Sequence, residues 1–202
     1  ILNMNSIFRL MYKGGLEMSD SEYPQMKTLE TRNCILRPAS LDDVEDFFDC
    51  YKNKIVVKHL PFSEHKSLED TRKFIKSFFL NPYKKGKIGH FAIVYKRDNK
   101  VIGNMGFNNI NPKALEAEIG ICINPSYWGH DFATEITKRV IQYGFRELNL
   151  NKIIAITYEE NQNSTKSLDL LGFKCTGKYI KKIHTGNTVK NVPCYQYELK
   201  KQ

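Results

Sequence analysis

The sequence predicts an α/β (α+β) fold in which helices flank one mixed, mostly antiparallel sheet. Three observations predict it: short β-branched and aromatic segments between turn residues, apolar stripes at helical spacing, and hairpins that give way to strand–helix–strand units. The 202 residues suffice for one domain with its own core. Hydrophobic residues at 41% and charged residues at 26% argue against a mainly disordered, collagen-like or coiled-coil chain.

The first half is predicted as a strand, two helices and three further strands. The first strand covers residues 31–37 and stops at Pro38. Ser40 and Ser67 are placed to cap the two helices, and Asn81–Pro82 is expected to end the second. The strands that follow, separated by turns at 97–100 and 111–113, are expected at 90–95, 101–110 and 116–123.

The second half alternates helices and strands. Apolar residues at helical spacing predict a long helix over 133–145, and Gly172 is a natural end for a shorter helix over 163–171. The remaining strands, of which the last two are joined by a Gly186–Asn187 turn, are expected at 151–158, 173–182 and 195–199.

Charge and cysteine content narrow the function classes. Thirty-one basic and 22 acidic residues give a net charge of +9, which attracts anions or simply keeps the protein in solution. No DNA-binding motif and no run of about 18 apolar residues occurs, so neither nucleic acid nor a membrane is expected as a partner. Five cysteines without a C-x-x-C pair indicate reduced thiols, and the histidines lack ligand spacing; we expect no metal and a cytoplasmic location.

The most informative segment runs from Glu118 to Glu135. A strand leads through a glycine-containing loop directly into a helix, whose first N–H groups have no internal partner and carry the positive end of the helix dipole. Such a terminus is suited to a phosphate or pyrophosphate. Neither a P-loop nor a G-x-G-x-x-G fingerprint is present, which leaves the common nucleotide-binding folds unsupported.

This segment resembles the acetyl-CoA binding motif of the GCN5-related N-acetyltransferases (GNAT), and more narrowly that of the ribosomal-protein-alanine N-acetyltransferase branch. Residues 160–164, followed by Leu170–Phe173, are similar to a second motif of the family, and Leu36–Pro38 and Val101–Gly103 are weaker matches. The resemblance covers about residues 29–200. It implies an acetyltransferase domain over 28–202, and the polar, irregular pattern of residues 1–27 predicts a weakly ordered extension before it.

The resemblance also implies a GNAT fold of about seven strands, with a cofactor site at a splayed central strand pair near 118–123 and 151–158. The pantetheine arm is expected along Ile121, Cys122 and Ile123, with Asn161 on its amide and Ser164 near the sulfur. A turn residue and a helix N-terminal hydroxyl are the alternative roles of Asn161 and Ser164. The phosphate loop and its backbone N–H groups are expected to comprise Trp128, Gly129, His130, Asp131, Phe132, Ala133 and Thr134.

Glu118 is the expected general base, at a strand position where several family members have a catalytic carboxylate. A plain surface acid on a strand is the alternative role for Glu118, and Glu116, two residues away on the same face, is the reserve candidate. Many relatives have a tyrosine that protonates the departing thiolate where this chain has Leu168, so Ser164 or a water has to supply that proton.

Asp131 departs from the family's usual glycine, and its carboxylate should repel a pyrophosphate unless the side chain turns away or caps the helix.

The function implied is direct transfer of the acetyl group of acetyl-CoA to a primary amine, most simply the N-terminal α-amine of a protein. A small amine of the antibiotic or polyamine type is the alternative acceptor, and a non-catalytic module that binds CoA or a protein partner is the alternative class. Tyr51, His59 and Phe62 are candidates for the acceptor pocket. Monomers and homodimers both occur in the family.

Overall fold

The computed structural model describes residues 26–60, 62–185 and 188–201. The predicted extension therefore lies outside the described residues except for Met26 and Lys27, and so does the predicted Gly186–Asn187 turn.

Eight strands form one sheet in the order β1-β2-β3-β4-β5-β6-β8-β7. All neighbours pair antiparallel except β5 and β6, which are parallel. The predicted fold class is thus confirmed. The strands are β1 Leu29–Glu30, β2 Cys34–Arg37, β3 His90–Tyr95, β4 Lys100–Asn111, β5 Glu116–Ile123, β6 Lys152–Tyr158, β7 Lys174–Thr185 and β8 Thr188–Lys200.

The eighth strand exists because the predicted strand over 31–37 is interrupted by a turn. The Thr31 N–H donates to the Cys34 carbonyl at 2.9 Å, and the Cys34 N–H donates to Thr31 Oγ1 at 2.9 Å. These bonds reverse the chain, so that Leu29 pairs with Leu36 as a short edge strand. A threonine hydroxyl that bonds nearby backbone competes in this way with the regular strand ladder.

Six α-helices cover the two faces of the sheet within the described residues. They are α1 Val44–Tyr51, α2 Lys54–Val57, α3 Leu68–Phe74, α4 Asn81–Lys84, α5 Phe132–Arg146 and α6 Gln162–Leu170. Ser40 caps a short 3₁₀ turn that leads into α1, and Ser67 caps α3, as predicted. Both caps are capping boxes, in which Asp43 and Asp70 bond back to the backbone of the serine.

The expected helix end at Asn81–Pro82 is wrong. A π-helical segment over Ile75–Leu80 joins α3 to α4, and Asn81 donates its N–H to the Lys76 carbonyl five residues back. Pro82 then occupies the first turn of α4, where its missing N–H has little cost. The wider π turn thus carries the chain past a proline that would break a regular α-helix.

Two cores lie on opposite faces of the sheet. One packs α5 and α6 against the strands, with Ile136, Val140 and Leu168 buried. The other packs α1, α2 and the α3–π segment, with Phe47 and Phe79 fully buried. Within the described residues, no helix is both long and apolar enough to cross a bilayer.

Candidate functional site

The parallel strands β5 and β6 separate towards their carboxyl ends. Their pairing stops at Ile119 and Ala155. Beyond that point β5 continues along β4 to Ile123, and β6 continues along β8 to Tyr158. The two strands therefore border a wedge whose facing backbone groups can pair with an extended ligand, as a sheet edge pairs with an added strand.

The predicted pantetheine strand forms one side of this wedge. Ile121 is 37% exposed, whereas Ile123 is 9% exposed and belongs to the core under α5. Cys122 is partly buried on the other face, where its Sγ lies 3.9 Å from Cys50 Sγ. The side chains of β5 thus anchor the strand in both cores and leave the wedge to the backbone.

The loop from β5 to α5 presents a run of unused backbone donors. None of the N–H groups of residues 129–134 has an acceptor within the described part of the chain, and the first bond of the turn runs from the Glu135 N–H to the Asp131 carbonyl at 3.1 Å. Gly129 at φ +82° and Asp131 at φ +55° turn the chain through left-handed conformations. The arc carries the positive end of a 15-residue helix, which suits a pyrophosphate.

Side chains of the loop hold the arc in place. The Trp128 indole is 49% exposed, rather than packed beneath the loop, and donates from Nε1 to the Ile123 carbonyl at 2.8 Å. His130 stacks on Phe132 with ring centroids 5.3 Å apart and donates from Nδ1 to the Trp128 carbonyl at 3.0 Å. Asp131 makes no side-chain cap, although it occupies the cap position. Its exposed carboxylate remains beside this arc of N–H groups.

The N-terminus of α6 lies at the same edge of the sheet, because α5 and α6 follow the carboxyl ends of two parallel strands. Asn161 caps α6: its Oδ1 accepts from the Ser164 N–H at 3.3 Å, which leaves the amide nitrogen as a donor. Ser164 is half-buried in the first turn, and Leu168 is buried at 7% exposure.

Glu118 lies on β5 just before the wedge opens, and its side chain is partly buried. Asn108 Nδ2 donates to Glu118 Oε1 at 3.0 Å. A cavity of about 170 Å³ borders Glu118 and is lined also by Asn109, Glu116 and Ile154. The reserve candidate Glu116 is held by Lys152 at 2.8 Å. Glu118 is therefore the carboxylate better suited to accept a proton.

Three polar residues near Glu118 were not singled out from the sequence. Asn108 occupies an irregularity in the β4–β5 register, where Phe107 pairs with Ile119 and Asn109 with Glu118. His90 and Asn104 lie behind it at 5% and 4% exposure. Burial lowers the pKa of His90 to about 4 and keeps it neutral. The signal for these residues was polarity inside otherwise apolar strands.

The three candidates for the acceptor pocket lie in different environments. Tyr51 is 1% exposed, and its ring packs against Phe62 and Phe74. Phe62 is half-buried. His59 Nδ1 lies 3.3 Å from Glu160 Oε1, and burial lowers the pKa of His59 while Glu160 opposes that effect.

A larger concavity of about 400 Å³ lies elsewhere, lined by Asp46, Asp49, Lys100 and Tyr127 among others. Its carboxylates suit it poorly to a pyrophosphate, so it does not mark the cofactor site. No group of three or more His, Cys, Asp or Glu side chains in residues 26–60, 62–185 and 188–201 is arranged to hold a metal ion.

Comparison with known proteins agrees with this geometry. Residues 33–174 match the acetyltransferase (GNAT) domain family. The chain is 34% identical over 155 residues to the uncharacterized N-acetyltransferase p20 of Bacillus licheniformis, covering 75% of this chain and 85% of that protein. It is 31% identical over 98 residues to the spermidine N(1)-acetyltransferase of Escherichia coli K12, covering 48% of this chain and 53% of that enzyme.

The fold is similar to that of a solved ribosomal L7/L12 α-N-protein acetyltransferase, RimL. The TM-score is 0.75 at 18% identity, and the alignment covers 87% of this chain and 94% of that one. At this identity the likeness concerns the fold.

Proposed function

We propose that this chain, which belongs to the GCN5-related N-acetyltransferase (GNAT) family and is an acetyl-CoA-dependent N-acetyltransferase, acetylates a primary amine. The first candidate acceptor is a protein N-terminal α-amine, and Glu118 is the general base. The single observation that carries this proposal is the wedge between β5 and β6, with Glu118 at its start and the free N–H arc of residues 129–134 at its open end. Because the chain belongs to a family of acetyltransferases, the alternative of a non-catalytic module that binds CoA or a protein partner is the weaker one.

The residues present fit acetyl-CoA, which supplies a thioester as acyl donor when bound. The N–H groups from Gly129 to Thr134 hold the pyrophosphate, and the free edge of Ile121–Ile123 pairs with the pantetheine arm. The amide nitrogen of Asn161 donates to a pantetheine carbonyl. Most of these contacts use backbone groups, so Asp131 in place of glycine alters the affinity more than the mode of binding.

Glu118 takes the proton that the ammonium group of the acceptor must lose before its nitrogen can attack. An α-amine has a pKa near 8, so removing its proton near neutral pH costs only a modest free energy, and a carboxylate is enough to assist that deprotonation. Backbone N–H groups near Cys122 stabilise the negative charge that develops on the acyl oxygen as the C–N bond forms and the C–S bond breaks. The departing thiolate receives a proton from Ser164 or from a water, because Leu168 offers none.

A polyamine is the second candidate acceptor, favoured by the similarity to the spermidine N(1)-acetyltransferase and by the carboxylates of Glu116 and Glu118 around the cavity. An α-amine is the first candidate because it loses its proton more readily than an alkyl amine with a pKa near that of lysine, about 10.4.

Thiol release from acetyl-CoA tests the proposal with four acceptors: a peptide with a free N-terminus, its N-acetylated form that carries a lysine, spermidine and an aminoglycoside. We expect the free peptide to be used best. Glu118→Gln should lower kcat/KM by about 10²–10⁴-fold with acetyl-CoA binding retained. Glu116→Gln is the matched control and should lose far less. Full activity in Glu118→Gln, or turnover with none of the four amines, contradicts the proposal.

A further inference from the structure

A chain of four hydrogen bonds runs from the buried core under α1 to the carboxylate of Glu118. Tyr51 donates from its hydroxyl to Asn104 Oδ1 at 2.5 Å, and Asn104 Nδ2 donates to His90 Nδ1 at 2.8 Å. His90 Nε2 donates to Asn108 Oδ1 at 2.8 Å, and Asn108 Nδ2 donates to Glu118 Oε1 at 3.0 Å. Every donor in this relay points towards Glu118.

The direction of the relay follows from its two ends. Tyr51 has one hydroxyl proton and gives it to Asn104, which turns the Asn104 amide so that its nitrogen donates to His90. His90 Nδ1 is then an acceptor, so the proton of the neutral ring is on Nε2 and can be donated to Asn108. Such a chain of aligned donors strengthens each of its bonds and favours the charged form of the final acceptor.

The surrounding structure keeps the relay in place. Tyr51 is 1% exposed, and its carbonyl accepts from the His65 N–H at 3.1 Å. His90 contacts the Phe78 ring at 4.9 Å between centroids. Gly120 lies against the far end: a Cβ at this position would come within 3.1 Å of Asn108 Nδ2 and 3.5 Å of His90 Cε1. A side chain there would displace the amide that reaches Glu118.

We propose that Tyr51, Asn104, His90 and Asn108 act as positioning residues that hold the Glu118 carboxylate in place and aim it at the acceptor amine. This inference rests on the proposed role of Glu118 as general base and adds the groups that prepare it. Tyr51, expected from the sequence to touch the acceptor, acts in this proposal from beneath the site. A carboxylate with only a surface role would not need a chain of four hydrogen-bonded residues that extends from it into the core.

Few other titratable groups face the relay. Tyr179 of β7 is close enough to Glu118 for charge interaction, and Glu116 and Lys152 form an ion pair with each other two positions along the strands. Around Tyr51 the titratable neighbours are Cys50, Cys122 and His65. Tyr83 donates its hydroxyl to the backbone carbonyl of His90 and stays outside the relay.

The test compares the pH dependence of kcat/KM in the full chain and its variants. Tyr51→Phe removes the first donor, and Asn108→Leu removes the last at similar volume. We expect the acid limb of the profile to move to higher pH, by about half a unit in Tyr51→Phe and about one unit, or tenfold at a given pH, in Asn108→Leu. Tyr143→Phe is the matched control, a buried tyrosine in the opposite core, and should leave the limb in place.

A purely structural role would change stability or acetyl-CoA affinity and leave the acid limb unmoved, so thermal unfolding and acetyl-CoA binding are measured on the same variants. Nuclear magnetic resonance of ¹⁵N-labelled histidine gives a readout that requires no turnover. We expect His90 to be neutral with its proton on Nε2, and the Nδ1-protonated form to appear in Tyr51→Phe.

The outcomes separate this proposal from the proposed function. If Glu118→Gln stays fully active, the base assignment fails, and the proposal fails with it whatever the His90 tautomer. If Glu118→Gln is inactive but Tyr51→Phe and Asn108→Leu keep the wild-type acid limb, the function stands and the relay is refuted. A proton on Nδ1 of His90 in the wild-type protein also refutes the relay, because its direction would then be reversed.

Discussion

Asp131 provides a direct test of how the anion site works. Its backbone is left-handed at φ +55° and ψ 11°, and its side chain makes no cap at the start of α5. The carboxylate therefore lies exposed beside six N–H groups that we assign to a pyrophosphate. Replacing Asp131 by Asn removes the charge and keeps a residue that tolerates this backbone, whereas Gly removes the charge and the Cβ together.

The magnitude follows from Coulomb's law. Two unit charges about 7 Å apart in a water-like medium repel each other by roughly 0.6 kcal/mol, and a pyrophosphate presents two negative charges. The repulsion is thus about 1 kcal/mol, or roughly fivefold in Kd at low salt. The left-handed backbone adds little, since the relief that Gly brings is offset by its greater freedom in the unfolded chain.

Isothermal titration calorimetry with acetyl-CoA measures this effect. We expect Asp131→Asn and Asp131→Gly to bind about fivefold tighter than wild type at about 10 mM salt, with the gain vanishing near 1 M salt, where the Debye length falls to about 3 Å. If Asp131→Gly alone tightens binding, backbone strain is the cause. If neither variant tightens it, the carboxylate points away from the phosphates and the electrostatic reasoning is refuted.

Two further predictions concern stability. At Gly103 (φ +152°) a Cβ would lie 2.0 Å from the Cys122 carbonyl oxygen, so Gly103→Ala must shift β4 against β5. Urea unfolding should show a loss of more than about 2 kcal/mol in the free energy of unfolding, and a smaller loss would mean that the strands adjust freely. Burial lowers the pKa of His90 from 6.5 to about 4, so the unfolded chain binds a proton in this window that the folded chain does not. The free energy of unfolding should therefore fall by up to about 3 kcal/mol as the pH drops from 6.5 to 4, and His90→Gln should remove this part of the slope, while an unchanged slope would assign it to other groups.

Local patterns predicted most of the fold. The continuous apolar run of β3, the alternation of β5 and the helical stripe of α5 locate these elements to within one residue at each end. A strand buried on both faces is apolar throughout, whereas burial on one face dictates the period of the sequence. The failures occur where a single local bond decides the outcome. The Thr31–Cys34 turn divides a predicted strand, and the π segment before Pro82 carries a helix past its predicted end.

The sequence by itself determined the order of most elements and, through the strand–loop–helix segment over 118–135, the resemblance to the family, since strand, loop and helix are contiguous in the chain. Only the tertiary structure decided what surrounds Glu118. The partners of the relay are separated by 53, 14, 18 and 10 positions. No periodicity links residues so spaced, because their contacts arise from the packing of α1 on the sheet and from the bulge at Asn108. Tyr51 shows the difference best: from its place in the chain it was expected at the acceptor pocket, and the packing buries it beneath the base.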